Sequence, residues 1–314
     1  MKKKLALLAF AVLAIGCAGS DSFPIGGTSV GLVLSGSAND GGWNESAALG
    51  LEELRAAGDL TSMTQNVGPA DQIAALEAMA SAGNNYVIAH GSEFTAAMAN
   101  VSARFPGVNF IQTNGSQFGP NWRSLGFSDS EIGYVLGYMA ALTSPTGKVG
   151  LILQEDESAA VRAAVLHGAV DANAAATLMI ETTPDFDTPS FGQQAAEALL
   201  DEGVDAFVVV VDGAYAGVHT ALEGVTGVQA FRLRSVPGLP VGTPEVLGGV
   251  VLHSGGLFKA GIQAFEQGDP TSAMALGFKE DALGLANFSA GYPDAARAQV
   301  REAVQGIIDG TIIP

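Results

Sequence analysis

The chain has 314 residues, 48% of them hydrophobic, only 15% charged and 41 of them glycine. At roughly 150 residues per domain there is room for about two packed domains, and this composition excludes a stapled mini-domain, a disordered tail and a coiled coil. Lys and Arg number 14 against 32 Asp and Glu, a formal charge of −18 with no basic stripe, so nucleic acid is not an expected partner. The single Cys excludes an internal disulfide and thiolate-built zinc clusters.

Met1 to Lys4 is cationic, and Leu5 to Ile15 is an apolar run too short to span a bilayer as a mature helix, the pattern of an export signal. The run closes on Leu13, Ala14, Ile15, Gly16 and Cys17. This resembles the lipobox of bacterial lipoproteins, in which the Cys is acylated and becomes the mature N-terminus; Ala14 holds the place usually taken by Leu. An ordinary secretory signal with an incidental Cys is the alternative. Cleavage before Cys17 removes Lys2, Lys3 and Lys4 and takes the charge from −18 to −21. Residues Ala18 to Gly27, small and polar with Pro24, read as a flexible leash, and the folded part is expected from Thr28.

From there, short β-branched runs alternate with Ala-rich stretches, the pattern of parallel βαβ units. Strands are predicted at Ser29 to Leu34, Tyr86 to His90, Val108 to Thr113, Lys148 to Leu153, Leu178 to Thr182, Ala206 to Val211 and Val246 to Leu252. Each is nearly all apolar, as in sheets covered on both faces. Helices are predicted at Glu45 to Ala57, Asp71 to Ser81, Phe94 to Phe105, Glu131 to Leu142, Ala159 to Ala174, Phe191 to Asp201, Leu257 to Gln267 and Pro293 to Asp309. Asp71, Ser92, Asp129 and Ser190 are candidate caps at or near helix starts. The chain reads as two similar halves with no low-complexity linker, which points to several crossings between two lobes. Ser235 to Thr243, rich in Pro and Gly, is a predicted loop near the cleft.

Catalytic signatures are missing. There is no phosphate-binding G-x-x-x-x-G-K-[ST] run, and Gly36 to Gly42 lacks dinucleotide-fingerprint spacing. His90, His167, His219 and His253 are scattered, with no H-E-x-x-H, and no G-x-S-x-G follows a predicted strand to form an elbow into a helix. No enzyme, metal or cofactor is expected.

Beginning at Val30, VGLVLSGSANDGGWNESAALGLEEL resembles the opening of the basic membrane protein, or PnrA-like, family of nucleoside-binding lipoproteins that feed ABC transporters. Asp40, Trp43 and Asn44 hold that family's Asp, aromatic and Asn. Further similar stretches are VIAHGSEF, FPGVNFIQTNG, GFSDSEIGYVLGYMAAL, TGKVGLI, DFDTPSFGQQAAEALLDEGVDAFVVVVDGAYAGV and LGFKEDALGLA. The resemblance implies the α/β type I periplasmic-binding-protein fold, two doubly wound lobes joined by three hinge crossings, with ligand held between them at the carboxyl ends of the strands. It implies a first lobe of 28–127 plus about 250–284 and a second of 128–249 plus about 285–314.

On that frame, Asp40 is expected either to accept hydrogen bonds from a base or to cap the following helix. Trp43 would stack on a heterocycle, Asn44 would orient the turn and touch ligand, and Gly91 would let ligand approach the backbone. Asn114 stands where the family often has a ribose-binding Asp. Gly213 and Tyr215 lie in the second lobe's turn, Tyr215 as the aromatic opposite Trp43. Arg232 falls where the family usually has Asp and would bring a cation to the sugar pocket, which suits a heteroaromatic solute that includes an anionic one; Asp281 matches an acidic position near the ligand. The expected protein is a lipid-anchored, monomeric solute receptor on the cell membrane, facing the periplasm or exterior and docking on an ABC permease. A ligand-sensing receptor of the same fold and an exported nucleoside or sugar hydrolase are the alternatives.

Overall fold

In the computed structural model, the alternating pattern builds two six-stranded sheets. The structure describes residues 27–156, 159–236, 246–269 and 273–314. The export signal, Cys17, nearly all of the leash and most of the Ser235 to Thr243 loop therefore lie outside the described residues.

The first lobe contains β1 (Ser29–Leu34), α1 (Trp43–Ala56), β2 (Leu60–Thr64), α2 (Gln72–Ser81), β3 (Tyr86–His90), α3 (Thr95–Ser102), β4 (Asn109–Thr113) and β5 (Trp122–Phe127). The second contains α4 (Asp129–Thr143), β6 (Lys148–Gln154), α5 (Ala159–Ala172), β7 (Thr177–Thr183), α6 (Pro189–Asp201), β8 (Ala206–Val210), α7 (Tyr215–Leu222), β9 (Gln229–Arg234) and β10 (Val246–Leu252). The chain then returns to the first lobe for α8 (Ser254–Glu266) and β11 (Ala273–Leu276), and ends in the second with β12 (Leu283–Leu285) and α9 (Asp294–Ile308).

The sheet orders are β11-β5-β4-β3-β1-β2 and β12-β10-β9-β8-β6-β7, the same winding used twice. All pairings are parallel except β12 against β10. Helices cover both faces of each sheet: α1 and α8 opposite α2 and α3 in the first, α4, α5 and α9 opposite α6 and α7 in the second. Central strands can then be apolar at every position. Val30, Leu32, Val33 and Leu34 of β1, and Phe207, Val208 and Val209 of β8, have no exposed surface. Edge strand β2 has no such requirement; none of its residues is buried, which explains why it carries no apolar run.

Three crossings join the lobes: Phe127 to Asp129, Leu252 to Ser254, and Leu276 to Leu283. The second and third fall slightly away from the expected boundaries, because β10 stays paired with β9 through Val251 and Leu283 pairs with Leu252. Behind the cleft, α1 and α8 are tied by Ser46 and Ser254, whose hydroxyl oxygens are 2.9 Å apart.

A charged knot fastens the last two crossings to α1. His253 donates from Nε2 to Glu53 at 2.8 Å and from Nδ1 to the Asp281 carbonyl at 2.7 Å, with the Asp281 carboxylate 3.3 Å from Nδ1. Lys259 donates to the same Glu53 at 3.1 Å. Both ring nitrogens face acceptors, so the geometry calls for imidazolium. Burial by itself lowers the His253 pKa, but the Glu53 hydrogen bond and charge, with Asp281, more than reverse it, and the net shift is upward from 6.5. Glu53 is held below 4.5, its burial outweighed by hydrogen bonds and charge from His253 and Lys259.

The sign follows. The His253 contribution is complete below 6.5 and fades as pH rises through the higher folded value. The Glu53 contribution is complete above 4.5 and fades as pH falls through the lower folded value. As pH rises from 6.5 through the raised folded-state value, the parent chain should lose urea stability relative to His253→Gln. Parallel pH profiles for the two proteins would remove the knot from the energetics.

Candidate functional site

The α1 N-terminus is built by its own turn. The Asp40 carboxylate accepts from the backbone N–H of Gly42 (2.9 Å), Asn44 (3.1 Å) and Glu45 (3.0 Å), and from Asn44 Nδ2 at 2.8 Å. Glu45 reaches back to Gly41 N–H at 2.8 Å, and Asn44 Oδ1 accepts from Gly36 N–H at 3.1 Å. Burial raises the Asp40 pKa, yet these bonds outweigh it and the net shift is downward. Asp40 is thus the helix cap among its two expected roles, and Asn44 is the strut of the turn.

That turn aims Trp43 at the interlobe space. One indole face lies on the His90 ring, centroids 4.0 Å apart and planes 23° apart, while Phe127 meets Trp43 edge-on at 6.2 Å. His90 is fully buried at the end of β3. It donates from Nε2 to the Trp43 carbonyl at 3.1 Å and accepts at Nδ1 from Thr113 Oγ1 at 3.0 Å. Desolvation pushes its pKa down to about 3, so the imidazole is a neutral plate beneath the indole.

Between the lobes lies a cavity of about 430 Å³, within the range of small-molecule sites. The first lobe contributes Trp43, Gly91, Ser92, Glu93 and Asn114. Phe127 and Leu252 at the crossings and Asp129 and Ile132 of α4 form its floor. The second lobe contributes Val161, Phe186, Asp187, Val210 to Asp212, Leu233 and Ser235. Gly91 has φ +133°, a conformation open to glycine alone at little cost. It turns the chain from β3 into a short 3-10 segment, Ser92–Phe94.

Of the residues expected at the ligand, Trp43, Gly91 and Asn114 meet on this cavity, whereas Asp40, Asn44, Gly213, Tyr215, Arg232 and Asp281 are not among its lining. Tyr215 opens α7 with its ring under the Arg232 guanidinium, 3.3 Å from the centroid. Arg232 and Leu233 are neighbours on β9 and so point to opposite faces of the sheet; Leu233 faces the cavity, and the Arg232 cation is drawn to the α7 side. Its pKa is pushed down to about 10, chiefly by burial. Arg232, expected as a cation at the ligand, is thus placed off the cavity lining and against Tyr215. Gly213 accommodates the neighbouring loop: its N–H donates to Asp187 Oδ1 at 3.2 Å, and a Cβ there would lie 2.9 Å from the Asp187 carbonyl oxygen. Asp281, at φ +58°, serves the His253 knot.

The second-lobe aromatic on the cavity is Phe186, not Tyr215. Its carbonyl accepts from Asp212 N–H (3.0 Å) and Ala214 N–H (2.9 Å), joining the loops after β7 and β8. Asp212 spans the cleft. Its carboxylate accepts from the Trp43 N–H at the start of α1, and a Cβ on Gly42 would lie 2.5 Å from Oδ2. Burial and the charges of Asp187 and Asp40 raise the Asp212 pKa; Arg232 and the Trp43 N–H act in the other direction without cancelling them. Phe186, Asp187, Asp212, Glu93 and Asp129 are among the lining residues that sequence reading did not select as ligand-binding. Most sit just beyond strand ends, which is the signal that marks them.

Two parallel-wound lobes, three crossings and a cavity at the strand ends define the type I periplasmic-binding-protein fold. The model of the family described as ABC transporter substrate-binding protein PnrA-like matches residues 27–225, and the chain belongs to that family. Basic membrane protein A of Borreliella afzelii is 24% identical, over 61% of this chain and 61% of its own, so the chain spans under two thirds of that relative. Basic membrane protein D of Borreliella burgdorferi is 22% identical over 99% of this chain and 95% of its own. Among solved structures, an ABC transporter solute-binding protein from Conexibacter woesei superposes with a TM-score of 0.74 (22% identity, 91% of this chain, 98% of that one). A Bacillus halodurans protein described as a transcriptional activator of the comK gene gives 0.79 (24%, 91% and 99%).

Proposed function

We propose that this protein is a lipid-anchored, extracytoplasmic receptor that encloses a small heteroaromatic, nucleoside-like solute and presents it to an ABC permease. The observation that carries the reading is the cavity lined by Trp43 on one lobe and Phe186 on the other, with Asn114 also on its lining. Two aromatic side chains on opposite lobes can grip a flat ring, and an amide can hydrogen-bond sugar hydroxyls. Ligand contacts made by both lobes stabilise the closed form over the open one, which is the shape difference a permease can read. In this reading residues 1–16 are the export signal, Cys17 carries the lipid and 18–27 form the leash. No helix among the described residues is long and apolar enough to cross a membrane, and acyl chains on Cys17 would supply the attachment.

Thermal unfolding of the detergent-solubilised chain tests the reading. A nucleoside or free base at 100 times its Kd should raise stability by about 2.7 kcal/mol, while Cys17→Ser should release the protein from membranes. A panel in which only sugars shift the melting, or in which no heteroaromatic compound does, sinks it.

A further inference from the structure

The cavity is one-sided in charge. Its described lining includes the carboxylates of Glu93, Asp129, Asp187 and Asp212 and no Lys, Arg or His. The nearby cation whose field reaches Asp212 is Arg232, which lies against Tyr215, and Arg232 Nε has no hydrogen-bond partner among the described residues. Asp40 on the first lobe and Asp187 on the second both act electrostatically on Asp212, whose carboxylate reaches across to the first lobe.

A binding protein must close over what it binds. Closure of this cleft brings like charges together in a space that loses water, where repulsion is strengthened. A ligand carrying its own positive charge removes that repulsion and receives charge-assisted hydrogen bonds. An anionic ligand adds to the repulsion and meets no cationic side chain on the described lining.

We propose that the cleft selects heteroaromatic solutes bearing a positively charged group, an ammonium, amidinium or protonated ring nitrogen, and rejects phosphorylated or carboxylated forms, with Asp187 and Asp212 as the specificity-determining residues. The inference rests on the proposed heteroaromatic cleft and adds the ligand's charge. The aromatic walls support it as well, since Trp43, Phe127 and Phe186 offer ring faces and edges to a cationic ring system. Asp187 and Asp212 are singled out because they lie on adjacent loops of one lobe, linked through Gly213, and Asp212 reaches the other lobe at Trp43.

The test uses matched probes differing in one group. They are adenosine, 5′-amino-5′-deoxyadenosine and adenosine 5′-monophosphate, with tryptophol, tryptamine and indole-3-acetate as a second series. All are titrated calorimetrically into the detergent-solubilised chain at low salt. The amine should bind about tenfold tighter than its neutral parent and the anion about a hundredfold weaker. Asp187→Asn, at an exposed position, should shrink the amine-to-parent ratio without unfolding the chain, and adding Asp212→Asn should bring it near one. Equal binding of all three members, or tightest binding by an anion, overturns the charge selection and leaves the heteroaromatic cleft standing. Binding by none of the probes removes the heteroaromatic reading, and the inference falls with it.

Discussion

Replacing Gly137 by alanine should destabilise the chain by about 2 kcal/mol, an overpacking cost that outweighs the roughly 1 kcal/mol gain in helix propensity. On an exposed helix the same change stabilises, so the sign itself is diagnostic. The reason is the approach of α4 to α5. A Cβ on Gly137 would overlap the carbonyl oxygen of Val165, one on Gly133 would lie 2.6 Å from that of Val161, and one on Gly168 would overlap that of Tyr134. In each case the obstacle is backbone, which cannot rotate aside as a side chain can. Ile132 to Leu136 and Met139 to Ala141 are buried against the second sheet and its helices, so α4 has no room to withdraw. Urea unfolding reads the result as a lower midpoint at unchanged slope. An equal or higher midpoint would mean that the glycine contact does not set the helix spacing.

Trp43→Ala has the second large effect, on binding. Loss of a stacked aromatic costs about 1–3 kcal/mol per base, so affinity for a heteroaromatic ligand should fall roughly ten- to hundredfold. The indole also covers His90 and packs against the core, so the empty protein should melt lower as well. A binding change read from Trp43 alone would mix the two effects. Phe186 separates them, because it is 40% exposed and belongs to no core cluster of the described residues. Phe186→Ala should weaken the same ligand severalfold while leaving the melting of the empty chain nearly unchanged. If calorimetry shows ligand affinity untouched in both variants, the two-sided aromatic grip is wrong.

Legibility differed between elements for physical reasons. Strands β1, β3 and β10 were readable to the residue, because central positions in a parallel sheet are apolar at every step. β9 was not: Arg232 and Arg234 interrupt the run, and in the fold the Arg232 guanidinium is accommodated over the Tyr215 ring. Strands β11 and β12 are short returns of four and three residues whose pairing partners are remote in sequence. Helix α7 is eight residues long and begins in the turn read as ligand-binding, too short for a periodic signal.

At the site, Trp43, Gly91 and Asn114 were accessible because each lies just beyond a first-lobe strand or opens the helix that follows one. In the second lobe the lining differs from the expected residues: Phe186, on the loop after β7, lines the cavity and Tyr215 does not, and Leu233 lines it where its neighbour Arg232 was expected. A one-residue step along a strand turns a side chain to the opposite face of the sheet.

By itself the sequence determined the two-lobed α/β architecture, the acidic character and the export-signal pattern, since these depend on periodicity, charge balance and local order along the chain. The tertiary structure alone decided that four carboxylates and no described cation line the cavity. That outcome depends on which face each strand presents and on loops more than a hundred residues apart, such as Trp43 and Asp212, meeting across the cleft.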